Sequence, residues 1–234
     1  MMANRIIMSA GKNYADAVLA DSPVSYWKLD ETSGTTAADA VGSNNGTYTG
    51  GYTLNQTGIP STGRPSVLFN GTSGYVDLGA PAALNLTAAW TLEAWVYLTS
   101  TPNGAGIISE QYPSSGNVLY ELGFGLSTSG ANLAGGYYTG SAWYIATGGS
   151  LSLNAWHHVA CTWDGTTLRL YADGAQVATA TPGAAPVAGI NTLYIGRRHD
   201  ASFNPFFPGR IDEAAIYSTA LSAARILAHY NAGL

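Results

Sequence analysis

The sequence predicts an all-β fold: two antiparallel sheets packed as a jelly-roll sandwich, with a short helix near the start and another at the end. Three observations predict it. About fourteen short runs of β-type residues alternate with Gly, Asn, Asp and Ser punctuation at 8–12-residue spacing. Apolar residues make up 46% of the 234 residues, enough for a sizeable core. No internal repeat or linker breaks the chain, so one domain is expected over 13–234, preceded by an arm at 1–12.

The elements follow in order. Residues 13–21 read as a helix, because Tyr14, Val18 and Leu19 recur at helical spacing and Pro23 lies just beyond. Strands are expected at 25–29 and 46–49, then at 66–69 and 75–78 across a hairpin-like Asn-Gly-Thr-Ser-Gly turn. A long strand at 90–98 precedes others at 106–110, 119–126, 132–137 and 143–147. Between 156 and 180, Asp164-Gly165 and Asp173-Gly174 separate three runs. Asp-Gly suits a tight hairpin because both central residues take positive φ, so this stretch reads as a three-stranded meander. Within it Val159, Cys161 and Trp163 share one face by period two, and Leu168 and Leu170 share another. Strands at 192–197 and 209–217 close the β region. Residues 220–232 are rich in helix formers, with Leu221, Ile226, Leu227 and Tyr230 near one face and Gly233 as the stop.

Composition excludes several classes. Charged residues are only 10%, against about 25% in ordinary globular domains, and the net charge is -5. No Lys/Arg cluster exceeds Arg197-Arg198, so nucleic acid is disfavoured as a partner. No apolar run reaches the roughly 20 residues of a spanning helix, and residues 1–10 make a poor secretory signal. The four sequons, at Asn45, Asn55, Asn70 and Asn85, arise readily in a Thr-rich chain. The single cysteine, Cys161, forbids an intrachain disulfide and reads as a buried core thiol. His157 stands about 13 Å from it along an extended strand, so only His199 or His229 is left to approach it from elsewhere.

Five stretches, in order, resemble the laminin-G-like jelly-roll domains of the concanavalin A-like lectin/glucanase superfamily. They are Ser25-Tyr26-Trp27-Lys28-Leu29-Asp30-Glu31; Phe69-Asn70-Gly71 with Gly74-Tyr75-Val76; and Trp90-Thr91-Leu92-Glu93-Ala94-Trp95-Val96. Trp156-His157-His158-Val159-Ala160 with the two Asp-Gly turns is the most specific. Gly209-Arg210-Ile211-Asp212-Glu213 with Ile216-Tyr217 and Ala220-Leu221-Ser222 closes the series. The set spans roughly residues 14–230. Members of that superfamily include glycan-binding modules, adhesion domains and bacteriophage decoration or appendage proteins, and fold alone does not choose among them.

The resemblance implies a structural calcium near the opening and closing strands. The oxygen-rich loop 39–46 supplies Asp39 and Asn44, and Asp30 and Asp212 join them if the first and last strands pair. The competing reading makes Asp39 a turn cap with no ion present. Hydrolase chemistry is disfavoured. It needs two carboxyls across the sugar, no Glu-x-Asp occurs, and Asp212 and Glu213, adjacent on a strand, should face opposite ways. His157 and His158 likewise should face opposite ways and cannot chelate one ion, leaving one packed or hydrogen-bonded and one at the surface.

Sugar binding needs flat rings with polar handles. Tyr112, Tyr137, Tyr138, Trp143 and Tyr144 lie where loops are expected, and the stretch 202–207, with Phe203, Phe206 and Phe207, is another candidate, whereas Trp27, Trp95, Trp156 and Trp163 sit in strand signatures and belong to the core. The leading expectation is a non-catalytic virion-surface protein of a bacteriophage, a head decoration or tail-associated adhesin. Its partners would be capsid or tail proteins and cell-surface glycans, with a homo-oligomer open. The alternative is a stand-alone carbohydrate-binding module of a secreted bacterial protein, located extracellularly.

Overall fold

The structure, a computed structural model, describes residues 13–110, 118–126, 130–189, 191–198 and 205–234. Sixteen strands, β1 to β16, form two eight-stranded antiparallel sheets. The first runs β14 (Ala175–Ala180), β13 (Leu168–Ala172), β12 (Trp156–Trp163), β7 (Trp90–Leu98), β16 (Pro208–Tyr217), β5 (Pro65–Asn70), β4 (Tyr52–Thr57), with β1 (Ser25–Trp27) also on β16. The second runs β11 (Trp143–Thr147), β10 (Leu133–Tyr138), β9 (Val118–Phe124), β8 (Gly106–Glu110), β15 (Leu193–Ile195), β6 (Tyr75–Asp77), β3 (Gly46–Thr49), β2 (Thr36–Ala37).

Period-two alternation builds three layers from these sheets. On β7, Trp90, Leu92, Ala94, Val96 and Leu98 point between the sheets. Trp95 points the other way, into a second core closed by helices α1 (Tyr14–Ala20) and α2 (Ala223–Ala232). Tyr14, Val18, Ala160, Tyr171, Tyr217 and Ile226 fill that second core. Trp95 is thus core, but under the helices. Trp156 is half-buried at the edge of that second core, beside Tyr97 and Arg210.

Both helices are capped as short helices require. Asn13 Oδ1 accepts from the Asp16 N–H at 3.0 Å, and the Ser222 hydroxyl accepts from Arg225 N–H at 3.3 Å. Their buried faces differ in detail from expectation. Leu19 and Leu227 are exposed, and Ala15, Ala17 and His229 are buried instead, because the helices lie on a polar cluster of the sheet as well as on its rings.

Turn chemistry explains the other departures. Asp173 and Gly174 both take positive φ (51° and 76°), as a two-residue hairpin demands. At the first Asp-Gly only Gly165 does so. Asp164 Oδ1 there binds the Thr166 and Thr167 N–H groups, making a four-residue loop. Trp163 faces Leu168 and Cys161 faces Leu170, so all five meander residues line one inward face, not two. The Asn70–Gly74 turn is not a hairpin. Asn70 Oδ1 gathers the N–H groups of Thr72, Ser73 and Gly74, and the chain passes from one sheet to the other. Strands β2 and β4 were not expected. β2 is two residues long, and β4 is a half-exposed polar edge.

Candidate functional site

Both helices sit on the first sheet, so among the described residues the outer face of the second sheet carries no helix. Alternation sorts its side chains. Val76, Leu193, Ile195, Ile108 and Leu122 point into the core, so Asp77, Tyr75, Tyr194, Ser109 and Glu121 point out. The register aligns Asp77, Tyr194, Ser109, Glu121 and Gly136 in one row across five strands.

The sequence aromatics divide by the same rule. Tyr137 is fully buried, edge-on to Trp163 at 5.3 Å, with its hydroxyl donating to Ala184 O at 2.5 Å. Tyr144, its cross-strand partner, is turned the same way and packs on it at 5.5 Å. Tyr137 offers no ring to a ligand, which corrects its assignment as a sugar contact, and the half-buried Tyr144 turns its ring toward the core. They lie in strands and not in a loop, on the inward-facing side. Tyr138 and Trp143, cross-strand partners one position along, are half-buried on the outer face. Their ring centroids are 5.0 Å apart and the planes 34° from parallel. Tyr112 and Phe203 lie outside the described residues.

Of a second aromatic group on this face, the sequence pointed only to Phe206, within the stretch 202–207. Tyr75 and Tyr194 meet edge to face at 5.4 Å, Phe206 stands 6.1 Å from Tyr75, and the Arg197 guanidinium lies 5.0, 4.8 and 5.6 Å from the three ring centres. The signal was present: Tyr75 and Tyr194 alternate with core residues in their strands. Beside them Glu121 is fully buried, accepting from Ser109 Oγ at 3.1 Å and paired with Arg198 at 3.1 Å. Arg198 also reaches the Gly125 and Leu126 carbonyls, holding the chain at the end of β9.

The calcium residues do not fit an ion. β1 does pair with β16, yet both oxygens of Asp39 are taken: Oδ1 by the N–H groups of Tyr26 and Val41, and Oδ2 by that of Asn44. Burial opposes the Asp39 charge, but these donors outweigh it and hold its pKa below the ordinary value. The Asn44 side-chain Nδ2–H donates to Ser25 Oγ, and its backbone carbonyl accepts from the Trp27 indole. Asp30 pairs with Arg64 at 3.3 Å. Asp212 is sealed in, bonded to the Ile59 N–H, and burial, then the neighbouring Glu213, push its pKa up, against the charged form a hard cation needs. Among the described residues, no group of three or more His, Cys, Asp or Glu side chains is arranged to hold a metal.

Asp212 and Glu213 do not face opposite ways as simple alternation predicts. A bulge lies between Asp212 and Ala215, and Glu213 takes φ 55°. Both carboxyls therefore enter one buried cluster, where Glu213 binds Tyr26 Oη and Arg64 at 2.8 Å, and Asp212 accepts from Ile59 N–H at 3.0 Å. The cluster is closed to substrate, with Glu213 0% and Asp212 1% exposed.

The histidines also serve structure. His158 is buried against Glu93 at 3.2 Å, and His157, mostly buried, bridges Ser152 and Asp173 at 2.8 and 2.7 Å. Cys161 faces the inter-sheet core, and burial raises its pKa far above the ordinary thiol value. His229 lies on the opposite side of that sheet and His199 is outside the described residues. No described helix is long and apolar enough to cross a membrane.

The profile of the Laminin_G_3 family, described as the concanavalin A-like lectin/glucanases superfamily, matches residues 70–227. No curated protein matches the sequence. Among solved structures, domain 4 of AbnA, a GH43 extracellular arabinanase from Geobacillus stearothermophilus in complex with arabinotriose, superposes with TM-score 0.65 at 18% identity. It covers 88% of this chain and 97% of that one. Trypanosoma rangeli sialidase gives 0.61 at 18% identity over 88% of this chain and 32% of its own. The binding domain of botulinum neurotoxin serotype D/C gives 0.67 at 14% identity over 92% and 53%. The chain thus spans nearly all of the arabinanase domain, about a third of the sialidase and about half of the toxin fragment. These likenesses show the fold.

Proposed function

We propose that this chain, which belongs to the Laminin_G_3 family of the concanavalin A-like lectin/glucanase superfamily, is a non-catalytic carbohydrate-binding domain that holds sugar on the outer face of its second sheet. The observation that carries the reading is the Tyr138–Trp143 pair, turned outward on the face that carries no helix. Rings at this spacing offer an apolar surface to the C–H face of a pyranose or furanose, with phenol and indole as polar handles. The likeness to an arabinanase domain solved with arabinotriose supports it and makes arabino-oligosaccharides the first ligands to try.

A binding role also accords with the carboxylates. Glu93, Glu121, Asp212 and Glu213 are each buried and committed to protein partners, whereas hydrolysis needs an acid–base pair open to the sugar. The extracellular module is the reading we carry forward. Nothing on the described surface or among the relatives favours a capsid or tail partner over it, so the virion role stays an expectation.

Titration calorimetry with arabinotriose tests the proposal. Losing one stacking ring costs about 1.4 kcal/mol, roughly tenfold in Kd. Trp143→Ala and Tyr138→Ala should each show that loss while melting close to the parent. Undiminished affinity in the double variant refutes the assigned face.

A further inference from the structure

We infer that the sugar held at this face carries a carboxylate, read by Arg197; the inference rests on the carbohydrate reading above. Arg197 is set by backbone geometry. Gly196 turns at φ 82°, Arg197 bridges Phe206, and hydrogen bonds Arg198 N–H to Pro205 O (2.8 Å) and Phe207 N–H to Gly196 O (2.9 Å) clamp the two segments together. Phe207 goes into the core, so Phe206 and Arg197 stand on the outer side with Tyr75 and Tyr194.

Charge bookkeeping singles it out. Of the six described arginines, Arg64, Arg169, Arg198 and Arg225 each pair with a carboxylate. Arg210 donates to the Thr57 carbonyl at 2.7 Å. Among the described residues Arg197 has only ring faces around it, and its buried Nε lacks a hydrogen-bond partner. In a chain of net charge -5, a positive group held against three rings without an acid is a site for an anion. The half-buried Tyr75 and Phe206 add apolar surface for a sugar, and the buried Tyr194 supports them. Asp77, beside Tyr194 in the row, has one carboxylate oxygen bonded to the Gly79 N–H at 2.8 Å, leaving the other to accept a sugar hydroxyl. A free inorganic anion would use the guanidinium alone, whereas a carboxylated sugar, a hexuronate or a sialate, would use the guanidinium and the half-buried rings together.

The test compares trigalacturonate with its methyl ester, and sialyllactose with lactose, by titration calorimetry on the full chain. The expected result is at least about tenfold tighter binding of one acidic sugar than of its neutral counterpart, weakening as salt rises. Arg197→Gln should bring the pair within about twofold, and Arg197→Lys should keep part of the preference. Equal affinity within both pairs, or a preference unchanged in Arg197→Gln, overturns the inference and leaves the carbohydrate reading standing if arabinotriose binds. If no acidic or neutral sugar binds, the carbohydrate reading falls with it. Should Arg197→Gln fail to fold, the salt titration of the native chain decides, and an acidic-sugar affinity indifferent to salt refutes the role of Arg197.

Discussion

Replacing His229 with alanine removes the tie between the closing helix and the first sheet. The side chain is fully buried, with Nδ1 3.0 Å from Glu93 Oε2 and Nε2 2.8 Å from Asp21 Oδ2. Glu93, itself fully buried, also binds His158 at 3.2 Å and Tyr217 Oη. One residue therefore links α2, the C-cap of α1 and the middle of β7. Removing one partner of a buried, hydrogen-bonded ion pair costs about 3–5 kcal/mol because the other charge is left unmatched. At about 2–4 °C per kcal/mol for a chain of this size, Tm should fall by roughly 6–20 °C.

The pH dependence carries a sign. Burial disfavours the His229 imidazolium, but Glu93 and then Asp21 outweigh it and raise the pKa above 6.5. Its stabilisation is therefore complete below 6.5 and drains away as pH rises through the raised value. Burial likewise opposes the Glu93 charge, but His229 and His158 outweigh it and lower its pKa from 4.5. That contribution is present above 4.5 and fades as pH falls through the lowered value. Melts followed by near-ultraviolet circular dichroism across about pH 5 to 9 should show the native chain weakening on the alkaline side and His229→Ala weakening less, keeping only the decline that Glu110 and other raised carboxyls contribute. A variant melting within about 2 °C of the parent near pH 6, or keeping the same slope, refutes the reasoning.

Two further predictions concern single carboxylates. Burial raises the Glu110 pKa from 4.5 to about 7 despite its bond from Leu119 N–H at 2.5 Å, so the folded state holds a proton that the unfolded chain releases. Stability should decline between those values by up to about 3 kcal/mol, and Glu110→Gln, which keeps an acceptor for Leu119, should abolish the decline in pH-dependent denaturant titrations. Asp39→Ala strips the loop 39–46 of its N–H acceptor and should cost about 1–3 kcal/mol in chemical unfolding, while calcium or a chelator should leave the native Tm unmoved. A calcium-dependent rise in Tm would contradict the account of that loop.

Much of the fold was legible because period two and Asp-Gly chemistry are local. β7, β8, β11 and β12 begin and end where the pattern predicts, since each is a compact β-rich run, although β8 carries a bulge that sends both Ile107 and Ile108 into the core. What was illegible depends on tertiary choices. Nothing local says that the turn after Asn70 crosses between sheets, or that a bulge turns Asp212 and Glu213 into one cluster. The aromatic stretch 137–144 was recognised, but which alternate rings face out depends on which side of the sheet the core lies. That side takes Tyr137 and Tyr144 and leaves Tyr138 and Trp143. Arg197 and Phe206 were each visible, one in the basic pair and the other in the aromatic stretch 202–207, but not as neighbours, because only a bridge between them brings cation and ring together.

The direct test of the binding face is nuclear magnetic resonance mapping of the isotopically labelled chain titrated with arabinotriose and trigalacturonate. Shift changes should gather at Tyr75, Tyr138, Trp143, Tyr194 and Arg197 and spare α1, α2 and the rings beneath them. Changes confined to the helix-covered side, or none at saturating sugar, would contradict the assignment.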